Sequence, residues 1–229
     1  MIKKIKKLSK EKILLLSIVA LFFFIFSTIP LHRYWQYATW YYDFGIFYGA
    51  ISSVAQGKEP IIDHFIFTDK NILGDHFHPI IFLLSPFLII FPKGETLLIL
   101  QSLIVTLSGI FIYFTAKKIV KNKFQSFLLL IIYFSFIGLH NALITEFHEI
   151  TLITLPLSIF FYGLFTKKKL FYWIGFVLTL LTKETTFIIP AWFGLLTVIR
   201  EKKEWQKIGL LTILLSFFYG FFTIFAFIP

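Results

Sequence analysis

Long apolar stretches alternate with short polar ones along almost the whole chain. Stretches of about 20 apolar residues are what a helix needs to cross a bilayer. The pattern predicts spans over about Ile13–Leu31, Thr96–Ala116, Phe124–Leu139, Ile150–Phe165, Leu170–Thr182, Phe187–Ile199 and Ile208–Phe227. None alternates residue by residue, so a transmembrane β-barrel is excluded and helices remain. The predicted class is an all-α polytopic membrane protein with about seven transmembrane helices, residues 1–229 forming one integral membrane domain.

One long polar stretch interrupts this pattern, from Arg33 to Pro79. Within it Phe44, Phe47, Tyr48, Ile51, Val54 and Ala55 recur at helical spacing. That predicts an amphipathic helix over Asp43–Gln56, with Asp43 as its N-cap and Gly57 ending it, lying along the membrane surface. The apolar run Ile80–Phe91 is too short to span comfortably and is punctuated by Pro79, Pro86 and Pro92. It is predicted to be a second juxtamembrane helix on the outer face.

Charge fixes the orientation. Lys117–Lys123, Lys167–Lys169 and Arg200–Lys207 are basic, and the loops between them are acidic, mixed or histidine-bearing. All basic loops fall on the cytoplasmic side only if Ile80–Phe91 does not cross. The N-terminus is then cytoplasmic, the location the cell membrane, and all 6 histidines lie outside. The net charge of +10 therefore points to anionic lipid, not nucleic acid. The basic start followed by Ile13–Ile29 reads as an uncleaved first span, because the run is too long for a secretory signal and no small-residue cleavage site follows. Ending at the close of a span, the chain reads as the front portion of a longer design or a minimal version of it. The composition, 58% hydrophobic with 32 phenylalanines and no cysteine, leaves no disulfide framework, thiolate metal site or cysteine nucleophile.

Four polar clusters fall on the outer face: Asp43; Asp75-His76-Phe77-His78; Glu146-Phe147-His148-Glu149; and Lys183-Glu184. Converging carboxylates can hold a divalent cation, Mg or Mn, and an ionised one can act as a general base toward a hydroxyl. Each cluster also has a purely structural reading. Asp43 or Asp75 can cap a helix, Glu146 and Glu149 can form a solvated helix end, and Lys183-Glu184 can be a local charge pair. The aromatics between Tyr34 and Tyr42 read as an interfacial belt.

Asp43–Phe47, Gly74–Pro79, Phe147-His148-Glu149 and Leu181–Glu184 together resemble, in order and spacing, the uncharacterised polytopic family labelled domain of unknown function two-zero-seven-nine. More distantly, the layout resembles the GT-C glycosyltransferases, which transfer a sugar from a polyprenyl-phosphate donor on the outer face. That resemblance matches Asp43 to the first acidic position, Glu146–Glu149 to the region of the second and Lys183 to a basic position near the donor phosphate, while histidines are not typical of such sites. The leading expectation is a GT-C-like transferase with Asp43, Asp75, His76 and Glu146 catalytic and His78, Lys183 and Glu184 substrate-binding. Asp43, His148 and Glu149 are the expected metal ligands. A transporter or lipid-binding scaffold is the alternative, and an outer-face metal hydrolase a third reading. Ion-coupled transport fits less well, since the inner parts of the predicted spans carry almost no ionisable groups.

Overall fold

Apolar runs satisfy their backbone polar groups internally by forming helices, and each predicted span is helical in the computed structural model, which describes residues 9–39, 44–62 and 70–228. The first helix, α1 (Lys10–Trp35), starts where the Ser9 side chain accepts from the Lys12 amide. The segment after α1 carries α2 (Ile46–Ala55), a short helical segment Pro79–Leu84 and α3 (Ser85–Ile90). Then follow α4 (Gly94–Val120), α5 (Lys123–Phe134), α6 (Ile137–Thr145), α7 (Thr154–Thr166), α8 (Lys169–Leu180), α9 (Ile188–Arg200) and α10 (Lys203–Phe222).

Five helical stretches among the described residues are long and apolar enough to cross a membrane: Lys10–Trp35, Gly94–Val120, Lys123–Thr145, Glu149–Thr166 and Lys203–Phe227. The predicted fifth and sixth spans are helices too, but α8 has only 12 residues and α9 only 13. At 1.5 Å per residue each rises roughly 20 Å, short of the ~30 Å hydrocarbon layer. The predicted third span is longer than expected and broken at Ser135–Phe136 between α5 and α6. The break leaves the Phe134 carbonyl without its helical donor, and the His140 Nε2–H supplies one at 2.8 Å.

The segment between α1 and α4 departs most from the sequence reading. Its apolar helix face exists, but protein covers it. Phe44, Ala50 and Ile51 are buried with Ile80, Ile81, Leu84, Leu88, Leu97, Leu98 and Phe147 in one core. Gly57, at φ +71, ends the helix as expected, since a left-handed backbone suits glycine. Asp43, its expected cap, lies outside the described residues. A two-stranded antiparallel ladder, β1 (Ile61–Ile62) with β2 (Lys70–Asn71), was not foreseen; Ile61 faces Asn71 and Ile62 faces Lys70. The segment expected over Ile80–Phe91 is helical from Pro79 to Ile90 and too short to span.

The helices associate through small and hydroxylated residues, as expected where lipid removes the hydrophobic gain from packing. A Cβ on Gly163 would lie 2.2 Å from the Tyr172 amide nitrogen, and one on Gly175 2.2 Å from that of Phe160. The backbones of α7 and α8 therefore touch at two reciprocal glycines. Gly194 and Gly209 play the same part between α9 and α10. The Ser102 hydroxyl donates to the Phe26 carbonyl at 3.0 Å, tying α4 to α1, and Tyr172 meets Thr212 at 2.7 Å, tying α8 to α10.

Polarity separates the two helix ends. At the end bearing the basic turns, Glu11 binds Lys117 and Lys123, Lys167 binds Glu201, and Lys169 binds Glu204. The loops 75–79, 146–149 and 181–184 lie toward the other end.

A methyl group at Gly175 should cost 1–3 kcal/mol or more, the usual range for overpacking. Gly49, also in a helix, has open space where a Cβ would go. Gly49→Ala should be neutral or stabilising by about 0.5–1 kcal/mol. Thermal unfolding in detergent of Gly175→Ala and Gly49→Ala checks the contrast.

Candidate functional site

The site is assembled by a buried glutamine. Gln101 lies seven residues into α4, roughly 10 Å along it from Gly94 at 1.5 Å per residue, and is fully buried. Its Nε2 donates to the Glu146 carbonyl at 2.8 Å, and its Oε1 accepts from the His148 amide at 2.9 Å. A primary amide offers a donor and an acceptor side by side, so one side chain satisfies both backbone groups of a non-helical segment. The loop is thereby recessed below the end of α4.

That clamp holds Glu146 at φ 150, ψ −163. Non-glycine residues rarely enter this region, and holding one there costs of order 1–3 kcal/mol. The buried Phe147 ring anchors the strained turn, packing edge-on against Phe47 of α2 with centroids 5.5 Å apart. Phe47 also meets His78 at 5.6 Å and His148 at 6.2 Å. One aromatic ring thus joins two of the polar loops.

The third loop closes on the other two. The Ile80 amide donates to the Leu181 carbonyl at 3.0 Å, pinning 75–79 to 181–184. Lys183 Nζ donates to Glu149 Oε1 at 2.8 Å, joining 181–184 to 146–149. Glu184 accepts from His76 Nδ1 and from the Phe77 amide, each at 2.9 Å, one on each carboxylate oxygen. Both glutamates are nearly enclosed, with side chains 5% and 8% exposed for Glu149 and Glu184. Their partners reach outward: Lys183 is 23% exposed and His76 47%.

His78 sits in the centre. It is 2% exposed, and among the described residues neither ring nitrogen has a hydrogen-bond partner. Burial outweighs the attraction of nearby Glu149 and pushes its pKa down to about 4, so the ring is neutral at physiological pH.

Glu146, His148, Glu149, Lys183, Glu184, His76 and His78 therefore gather in one region. Asp75 instead makes an exposed ion pair with Lys70 at 3.4 Å. Glu184 faces His76 and the Phe77 backbone, in a supporting position. Asp43 lies outside the described residues, and with it one member of the expected metal set. Among the described residues no three His, Asp or Glu side chains stand together as ligands, and Glu149 is engaged by the Lys183 ammonium. Gln101 was not singled out from the sequence, and Phe47 only as part of the apolar helix face and of the Asp43–Phe47 motif. The signal for Gln101 was there: a lone amide inside a spanning helix is costly unless it has a task.

His78 gives the fold a pH dependence. Its folded pKa, about 4, lies below the unfolded value of 6.5. Between those values only the unfolded chain takes up the proton. Stability is complete above about pH 6.5, falls as pH drops toward 4 and levels off below, the loss being on the order of 3 kcal/mol. Unfolding of wild type and His78→Gln across pH 4–7 should show this slope flattened in the variant.

Residues 33–229 match the model of a family described as "Predicted membrane protein (DUF2079)". No curated protein and no solved structure matches the chain. The match covers the segment between α1 and α4, all three site loops and every helix after α1, and the chain belongs to this predicted membrane protein family.

Proposed function

We propose that the protein is a membrane glycosyltransferase that moves a sugar from a polyprenyl-phosphate donor on the outer face of the cell membrane. The observation that carries this reading is the gathering of loops 75–79, 146–149 and 181–184. Together they offer a solvent-reaching imidazole backed by a carboxylate, and a solvent-reaching ammonium backed by another.

Such a transfer needs a base for the acceptor hydroxyl and positive charge for the leaving phosphate. Lys183 supplies the charge. Its ion pair with Glu149 fixes the ammonium at the edge of the cluster while leaving further N–H donors for a phosphate. A Mg or Mn ion drawing on Asp43, His148 and Glu149 would compete with that ammonium for Glu149, so no step is assigned to a metal. Glu146, strained and buried, and Asp43, at the start of the outer segment, complete the catalytic set. Seven crossings with a cytoplasmic N-terminus are part of the proposal, α8 and α9 being the two short ones. The reading is supported by the basic residues gathered at the end opposite the site.

Two measurements test it. With no native cysteine, Lys93→Cys, just before α4, should be labelled from outside intact cells and Asn122→Cys should not; the reverse contradicts the orientation. In vesicles supplied with a water-soluble methyl hexoside as acceptor, the wild-type chain should transfer label into water-soluble product from a polyprenyl-phosphate-linked radiolabelled hexose. Lys183→Gln should lower that rate on the order of 10²-fold, as for loss of one group stabilising transition-state charge. Lys183→Arg should recover part of it. A wild-type chain that releases no label contradicts the reading.

A further inference from the structure

Resting on the transferase reading, we propose that His76 is the general base that takes the proton from the acceptor hydroxyl, and that Glu184 is the positioning residue that makes it one.

The geometry carries this. Glu184 uses both oxygens as acceptors, one from His76 Nδ1 and one from the Phe77 amide. An ionised carboxylate can only accept, so Nδ1 carries the hydrogen and the Nε2 lone pair is the basic site. Among the described residues Nε2 has no hydrogen-bond partner. The ring is 47% exposed while its carboxylate is 8% exposed. A basic nitrogen therefore faces solvent at the edge of an otherwise enclosed cluster. Phe77 holds the loop from behind, its ring 4.4 Å from that of Phe227 and 6.1 Å from that of Tyr219. The loop cannot turn His76 inward without giving up those contacts.

The charged and titratable neighbours do not take over this role. Asp75 is held by Lys70, Glu149 by Lys183, and Tyr219 packs on Phe77. The His78 ring lies 6.4 Å from that of His76 but is buried.

In the step, Nε2 removes the hydroxyl proton as the acceptor oxygen bonds to the anomeric carbon. The bond from that carbon to the phosphate oxygen breaks, its electron pair leaving with the polyprenyl phosphate beside Lys183. The imidazolium, stabilised by Glu184, then passes its proton to water.

The test uses the full chain in vesicles, a polyprenyl-phosphate-linked radiolabelled hexose, a water-soluble methyl hexoside as acceptor, and release of water-soluble label as readout. His76→Asn keeps an N–H near the Nδ1 position for Glu184 but has no Nε2. It should keep the wild-type unfolding temperature and donor KM and lose on the order of 10²–10⁴ in kcat. The acidic limb of the wild-type kcat/KM profile should vanish. Glu184→Gln keeps its shape and still accepts from the Phe77 amide, but its NH2 donates to Nδ1. The hydrogen then moves to Nε2, and the base is lost without loss of the fold. It should show the same fall in kcat and the same missing limb. Wild-type kcat and an unchanged acidic limb in both variants would overturn the proposal and make the pair a structural tie, while leaving the transferase reading intact. A wild-type chain that releases no label overturns both.

Discussion

The two hydrogen bonds from Gln101 are the constraint on which the site depends. A bilayer-spanning helix cannot leave a primary amide unpaired, because no water is present to satisfy it. The cheapest partner is another unsatisfied group, and a loop that stops being helical at Glu146 offers two. Each side removes the other's cost. The loop is drawn down beside α4, Glu146 is forced into backbone that favours glycine, and Glu149 is set where Lys183 can reach it. The strain at Glu146 is sustained by the burial of Phe147 and by the clamp on either side of it.

From there the cluster follows by pairing. Enclosed carboxylates are costly unless matched, and Glu149 and Glu184 each have a cationic or N–H partner from a different loop. Glu149 takes Lys183; Glu184 takes His76 and the Phe77 amide. These bonds hold the segment between α1 and α4 to the helical bundle, together with the apolar core between α2 and the start of α4. The same contacts thus tie the loops together and leave accessible His76 and Lys183, whose partners are buried.

Much of this was legible in the chain. Hydrophobic runs gave the helices, and the motif residues pointed to the loops, because polar groups inside so apolar a sequence need a reason. Less legible was what depends on contacts distant in sequence. The apolar face of α2 was readable, but its covering by residues 80–98 was not, since periodicity does not say whether lipid or protein lies opposite. His78 and His76 are two residues apart and look alike in sequence; only the packing of Phe47 and the reach of Glu184 separate a buried neutral ring from an exposed one. Asp75 looked equivalent to its neighbours until its side chain was seen turned to Lys70. The β1–β2 pairing, two residues on each side, left no alternating pattern to read.

Amide hydrogen exchange in the loops tests the clamp most directly. The His148 amide is held by Gln101 and the Phe77 amide by Glu184. Peptides covering 75–79 and 146–149 should exchange slowly in the wild type, unlike an ordinary surface loop. In Gln101→Ala the 146–149 peptide should lose its protection while the ends of α7 and α8 that meet at Gly163 keep theirs. Rapid exchange at 146–149 in the wild type, or unchanged protection without Gln101, would contradict the account.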